Sequence, residues 1–338
     1  VGELTEVPEL VGTARPALIL LNDDDLAYAK IRLDTASLEV AQEHLSDIAD
    51  PLARALVWGG LWDTTRDGES AASDYVALVI NHVGSETEST TLRTTLNQLV
   101  QAARSYVAPE RRSAAIELVG DVLWGLANQA EPGSDAQFQF VKFFADIAST
   151  TEHGEALAGL FDGSIELESL TIDTDLRWEI LSGLILVGRA GEAEIAAALA
   201  ADSTASGQQA AAQARATIPT STAKQAAFDS LVGANDAPNA IVRATCLGLN
   251  HVSDPALLAG LVAPYFSALT TIWADRSYHM ADATITGLYP AALANEELRA
   301  ASQGWLDANV EAPPALRRII VEALAGVERA LAVQRADQ

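Results

Sequence analysis

The chain has 338 residues, enough to bury a large core in two domains or one elongated array. Its 46 acidic side chains outnumber 21 lysines and arginines, and the formal net charge of -25 argues against nucleic acid or an anionic membrane as partner, because phosphate binding needs clustered cations. Alanine supplies roughly a fifth of the residues, which makes long helices the default expectation.

In chain order, residues 1–33 read as extended. The run Ala17 to Leu21 is short and continuously apolar, and Tyr28 to Leu33 alternates, with Tyr28, Lys30 and Arg32 on one side and Ala29, Ile31 and Leu33 on the other. Short strands cannot form an independent core, so they need a neighbouring sheet or helices behind them. Asp23, Asp24 and Asp25 stand between the two runs. A calcium loop starting at Asp23 would need glycine and glutamate where Tyr28 and Asp34 stand, so the string reads as a polar turn in which an aspartate bonds its own backbone.

After Asp34 the period becomes helical. Leu92, Leu96, Leu99, Val100 and Ala103 form one stripe, and Leu176, Ile180, Leu181, Leu184 and Val187 form another. Asp50-Pro51 and Asp254-Pro255 each place a capping acceptor before a first-turn proline, and Gly163, Gly188, Gly191 and Gly233 read as stops. Trp58 and Trp62, four apart on the helix begun by Pro51, read as core. These signals predict about 16 helices joined by short loops, in pairs recurring roughly every 35–45 residues without a fixed signature. The predicted fold is all-α: an irregular HEAT-like α-α superhelix over 34–338, preceded by a short β segment over 1–33. The alanine-rich stretch from Ala193 to Ala227 reads as closely packed helices, since a linker would be richer in Gly, Pro and Ser.

Several chemistries find no support. No two of His44, His82, His153, His251 and His279 are four apart, which excludes an H-E-x-x-H zinc helix. There is no G-x-S-x-G elbow, no P-loop and no G-x-G-x-x-G fingerprint. Cys246 is the single cysteine, so no internal disulfide forms, and a reducing, cytoplasmic setting is the simplest expectation. No run of 18 or more apolar residues occurs, and no membrane span is expected. The chain begins at Val1 and contains one methionine, Met280, as a piece of a longer or processed protein would. The most ligand-like string is Trp273-Ala274-Asp275-Arg276-Ser277-Tyr278-His279, and Arg243 is a further cation beside an apolar helix face. Arginine forks suit carboxylates, so Arg243, Trp273, Arg276 and Tyr278 are candidates to line a peptide site, against the plainer reading of salt bridges to surface acids.

The strings LLNDDDLAYAKIRLD, DPLARALVWGGLWDTTRDGE and DTDLRWEILSGLILVGRA, with the leucine of ASLEVAQEHL, resemble the C-terminal part of the zinc aminopeptidase N family, its bacterial branch above all. The resemblance covers essentially the whole chain. It implies that residues 1–33 end a β-sandwich domain and that the aspartates turn into its last strand. It also implies that the helical domain encloses the active-site chamber and lines the path of peptide substrates. The family's zinc helix, its G-A-M-E-N motif and its transition-state tyrosine map onto no residue here, so the chain by itself is expected to be non-catalytic, with zinc in a separate catalytic domain. Its expected partners are that domain, the N-terminal domain of the same protein and peptides. The alternative is a free-standing helical-repeat scaffold for protein partners.

Overall fold

The computed structural model describes residues 5–233 and 237–338. Among the described residues sixteen α-helices, together with shorter 3-10 and π turns, make the structure 74% helical and no strand appears, so the class is all-α. The chain divides into two compact units, Val1–Thr64 and Thr65–Gln338.

In the first unit the strands expected before residue 34 do not form. Ala17 to Leu21 and Tyr28 to Leu33 carry no ladder, and Leu21, Leu26 and Tyr28 stand in solvent. The reason is physical: an extended segment becomes a strand only when a neighbour pairs with its N–H and C=O groups. The aspartate string makes a single 3-10 turn, Asp23–Asp25, with Asp24 and Asp25 at φ of 60° and 51°. Its brace is Asn22 and not an aspartate. The buried Asn22 amide donates to Asp25 Oδ1 (3.0 Å) and to the Ala27 carbonyl (2.9 Å), and its oxygen accepts from the Ala27 N–H (2.9 Å).

Helix α1 (Thr35–His44) is capped by Asp34, which accepts from the N–H groups of Ala36 and Ser37 and pairs with Arg15 at 2.5 Å. Helix α2 (Pro51–Arg66) starts where expected, with Asp50 Oδ1 accepting from Leu52 (2.8 Å) and Ala53 (2.9 Å). Trp58 and Trp62 are buried, as their spacing predicts.

The second unit holds α3 (Ala72–His82), α4 (Ser89–Gln101) continued by a π turn (Ala102–Tyr106), α5 (Pro109–Gln129), α6 (Asp135–Ile147), α7 (Thr151–Asp162) and α8 (Thr174–Leu186). They are followed by α9 (Glu192–Ala201), α10 (Ala205–Thr217), α11 (Ser221–Val232), α12 (Asn239–Asn250), α13 (Val262–Asp275), α14 (Tyr278–Leu288), α15 (Glu296–Ala308) and α16 (Pro314–Ala336). From α6 onward each even-numbered helix packs on the odd-numbered helix before it and on the even-numbered helices to either side, while α4 packs on α6. The result is an inner layer of even helices backed by an outer layer of odd ones.

Sequence explains the close approaches. A Cβ on Gly183 would lie 2.5 Å from the Ala145 carbonyl oxygen, and one on Gly248 would lie 2.0 Å from that of Gln213, so glycine lets α8 meet α6 and α12 meet α10 backbone to backbone. Ala193 to Ala227 is helical throughout α9, α10 and most of α11, with Ala211 and Ala214 fully buried. Of the expected stops, Gly163 and Gly188 adopt positive φ and end α7 and α8, and Gly233 ends α11 from an extended conformation; Gly191 instead starts α9 as its N-cap. By length and composition Pro255–Asp275 is apolar enough to cross a membrane. Here its Leu258, Leu261, Tyr265, Leu269 and Ile272 are buried in the core formed with α11 to α16.

The end repeats of an open solenoid touch only their neighbours. In this unit α16 returns to α3 and to the π turn, closing the series. Gln334 donates to the Ser105 carbonyl (2.8 Å). Beyond it Asp337, 1% exposed, accepts from the N–H groups of Ser73 (2.6 Å) and Ala108 (2.8 Å) and pairs with Arg111 at 3.3 Å. Neither α3 nor α5 has a capping side chain of its own at Ala71 or Ala108, so one carboxylate serves two helix N-termini.

Candidate functional site

A groove of about 660 Å³ lies along the inner helices of the second unit, lined by Arg104 of the π turn, Asp146 of α6, Gln213 of α10, Arg243 and Leu247 of α12, His251, and Asp282 and Thr286 of α14. A second hollow of about 390 Å³ shares Thr286, Tyr289 and Ala291 with it and carries Glu322 and Arg329 of α16 on its wall. The even-numbered layer thus presents a continuous, mostly apolar lining set with a few charged side chains, while the odd-numbered helices back it from outside.

The best-built part of the groove is a three-residue cluster. Arg104 pairs with the Asp146 carboxylate (3.2 Å) and also donates to the Asp146 carbonyl. His251 Nε2 lies 3.1 Å from the same carboxylate and 3.0 Å from the same carbonyl. With its proton on Nε2, His251 donates to Asp146, and its contact with Arg104 Nη2 at 3.1 Å is then donor against donor, tolerated because both cation and ring converge on one anion. Burial alone would raise the Asp146 carboxyl, but Arg104 and His251 outweigh it and hold the group well below the usual carboxylate range.

Lys224 of α11 sets the backbone under this cluster. Its fully buried ammonium donates to the carbonyls of Ala216 (2.6 Å), Gly248 (2.8 Å) and His251 (3.2 Å), tying the C-terminal ends of α10 and α12 together. Burial pushes its amine down to about 7. Three donors meet three acceptors, which is the arrangement an unpaired buried lysine requires.

Of the four residues singled out in the sequence, Arg243 lines the groove, exposed, with Nη2 3.0 Å from His279 Nε2. The other three line neither hollow. Arg276 donates to Thr284 Oγ1 (2.9 Å) and to the carbonyls of Leu231 and Gly233 (3.1 Å for the latter), closing the C-terminus of α11. Trp273 packs partly buried on the core and meets Tyr278 edge to face at 5.6 Å. Tyr278 is exposed and its hydroxyl accepts from Arg318 (3.2 Å). Sequence reasoning missed Arg104, Asp146, His251 and Asp282. They are far apart in the chain, and nothing in their local spacing signals that they share a wall.

Among the described residues no three His, Cys, Asp or Glu side chains gather as metal ligands. The pairs His251–Asp146 and His153–Asp121 do not fit zinc. His251 and Asp146 share their site with the Arg104 guanidinium, which repels a dication, and His153, which bonds Asp121 at 3.0 Å, spends its second nitrogen on the Ser149 N–H.

Residues 18–329 match the family model described as the ERAP1-like C-terminal domain. Aminopeptidase N of Streptomyces lividans is 44% identical over 336 residues, or 99% of this chain. The chain spans 39% of that relative's length.

Proposed function

Because the chain belongs to the ERAP1-like C-terminal domain family, we propose that it works as the non-catalytic helical domain of a zinc aminopeptidase N, a protein that removes N-terminal residues from peptides. The observation that carries this reading is the pair of joined hollows on the inner helix layer, mostly apolar with a few charged side chains on their walls and about the size of a bound peptide segment. In this role the inner layer faces the catalytic chamber, keeps bulk water and folded proteins from it, and aligns the peptide beyond the scissile bond. Arg243 offers a fork to a peptide carboxylate or carbonyl; the Arg104–Asp146–His251 cluster and Lys224 keep the groove floor rigid.

Zinc belongs, in this proposal, to the catalytic domain, and the partners of the chain are that domain and the remaining N-terminal part of the same protein. Residues 1–33 are proposed as the end of a β-sandwich domain, whose sheet would pair with the extended backbone and cover Leu21, Leu26 and Tyr28. A cytoplasmic location is proposed from the single buried cysteine, Cys246. The test is direct: the purified chain is assayed for zinc by mass spectrometry and for bestatin-sensitive hydrolysis of alanyl substrates. The reading expects neither. Hydrolysis that tracks this polypeptide through purification contradicts it.

A further inference from the structure

We propose that Asp282 is a specificity-determining residue that favours peptides carrying a cationic side chain, by pairing with that side chain inside the groove; this rests on the reading that the groove takes peptide. Asp282 sits on α14, three residues beyond His279, half-buried in the groove wall. Among the described residues no hydrogen bond or ion pair reaches its carboxylate. The other charged groups of the groove have partners elsewhere than Asp282. Arg104 and His251 converge on Asp146, and Arg243 leans on His279. Among the described residues Asp282 is therefore the one anion of the groove with no protein partner, left to solvent.

The donors that line the groove with Asp282, namely Arg243, Gln213, Asn250 and Thr286, make no hydrogen bond or ion pair to this carboxylate, so a ligand that fills the space between them strips it of hydration without replacing it. An ammonium or guanidinium on the ligand replaces what is lost; an aliphatic chain of equal length does not. Selection then arises because the uncharged competitor leaves an acid unpaired, which penalises it more than the pair rewards the cation. The net charge of -25 acts in the same direction over longer range, drawing cationic peptides toward the domain.

The test compares nonapeptides that share an N-terminal residue and carry a single lysine, or norleucine in its place, moved along the interior. Their hydrolysis by the intact aminopeptidase is measured for the parent protein and for Asp282→Asn, Asp282→Glu and Leu247→Trp. Leu247 lines the groove and is 63% exposed, so tryptophan there narrows the groove without disturbing the core. At one or two adjacent positions lysine should raise kcat/KM about fivefold over norleucine, the size of one partly desolvated ion pair. Asp282→Asn should erase that ratio, Asp282→Glu should retain part of it, and Leu247→Trp should lower kcat/KM for nonapeptides relative to a single-residue chromogenic amide. A lysine preference absent from the parent protein, or unchanged in Asp282→Asn, overturns the inference while Leu247→Trp still discriminates by length. If Leu247→Trp affects long and short substrates alike, the groove is not on the substrate path, and the reading beneath the inference is wrong.

Discussion

Replacing Asp337 by asparagine removes one charge and changes almost no volume, which isolates the clasp that joins α16 to the N-termini of α3 and α5. In the parent chain its two oxygens accept from Ser73 N–H at 2.6 Å and Ala108 N–H at 2.8 Å. Asparagine keeps one acceptor and turns an amide N–H toward the other backbone donor. One charge-assisted hydrogen bond is worth about 1.5–3 kcal/mol. Withdrawing an anion from a helix N-terminus costs a further 0.3–1 kcal/mol or so at each of the two helices. The total is about 2–5 kcal/mol, and for a domain of this size that lowers the melting temperature by roughly 5–10 °C. Arg111→Ala is the control, because its half-exposed bridge contributes only about 0–1 kcal/mol. Thermal melts followed by circular dichroism read the shift, and hydrogen exchange at Ser73 and Ala108 locates it. Asp337→Asn melting within about 1 °C of the parent would refute the idea that one carboxylate caps two helices here.

Three further outcomes follow from the inner layer. Burial lowers the Lys224 amine to about 7 in the fold while the unfolded chain keeps the ordinary value, so the unfolded state binds more protons between those two values and stability rises with pH across that window. Lys224→Met should lose that rise, about 1.4 kcal/mol per pH unit at most, in urea titrations from pH 7.5 to 9.5; an identical slope would contradict it. Gly248→Ala gains helix propensity of about 1 kcal/mol but places a Cβ 2.0 Å from the Gln213 carbonyl, so α12 must move off α10 and the melting temperature should fall. Asp146→Asn should cost about 1 kcal/mol at neutral pH after allowance for solvent screening. Because the Asp146 carboxyl is depressed, that cost is present above the unfolded carboxylate range and fades as pH falls through the folded value.

The helical content was legible because period and punctuation agree. The stripes at Leu92 to Ala103 and Leu176 to Leu184 are buried, and the Asp50 and Asp254 caps bond the N–H groups they were read to bond. The β segment shows no ladder here, since alternation reports which faces could be buried, whereas a ladder needs a partner that residues 5–33 do not find in this chain. Gly191 shows a similar limit: glycine marks a boundary, but an N-cap and a C-cap look alike without the neighbouring Glu194, whose carboxylate accepts from the Gly191 N–H at 2.8 Å. The closure of the helix layer was invisible, because it depends on one carboxylate reaching across 264 residues of sequence to Ser73. The same holds for the groove. Arg243 could be picked out as a cation beside an apolar face, but Arg104 and Asp146 lie 42 residues apart, and Arg104 and His251 lie 147 apart. By type and spacing Arg276 is as ligand-like as Arg243, but in the fold its guanidinium is spent on the carbonyls that end α11.

Reconstitution tests the central claim most directly. The chain is mixed with a separately produced catalytic half from the same aminopeptidase, and nonapeptide hydrolysis is measured against the concentration of added chain. The account predicts a saturable rise in kcat/KM for the nonapeptide, with no activity from the chain alone. Hydrolysis by the catalytic half that is already complete and indifferent to the added chain would contradict it.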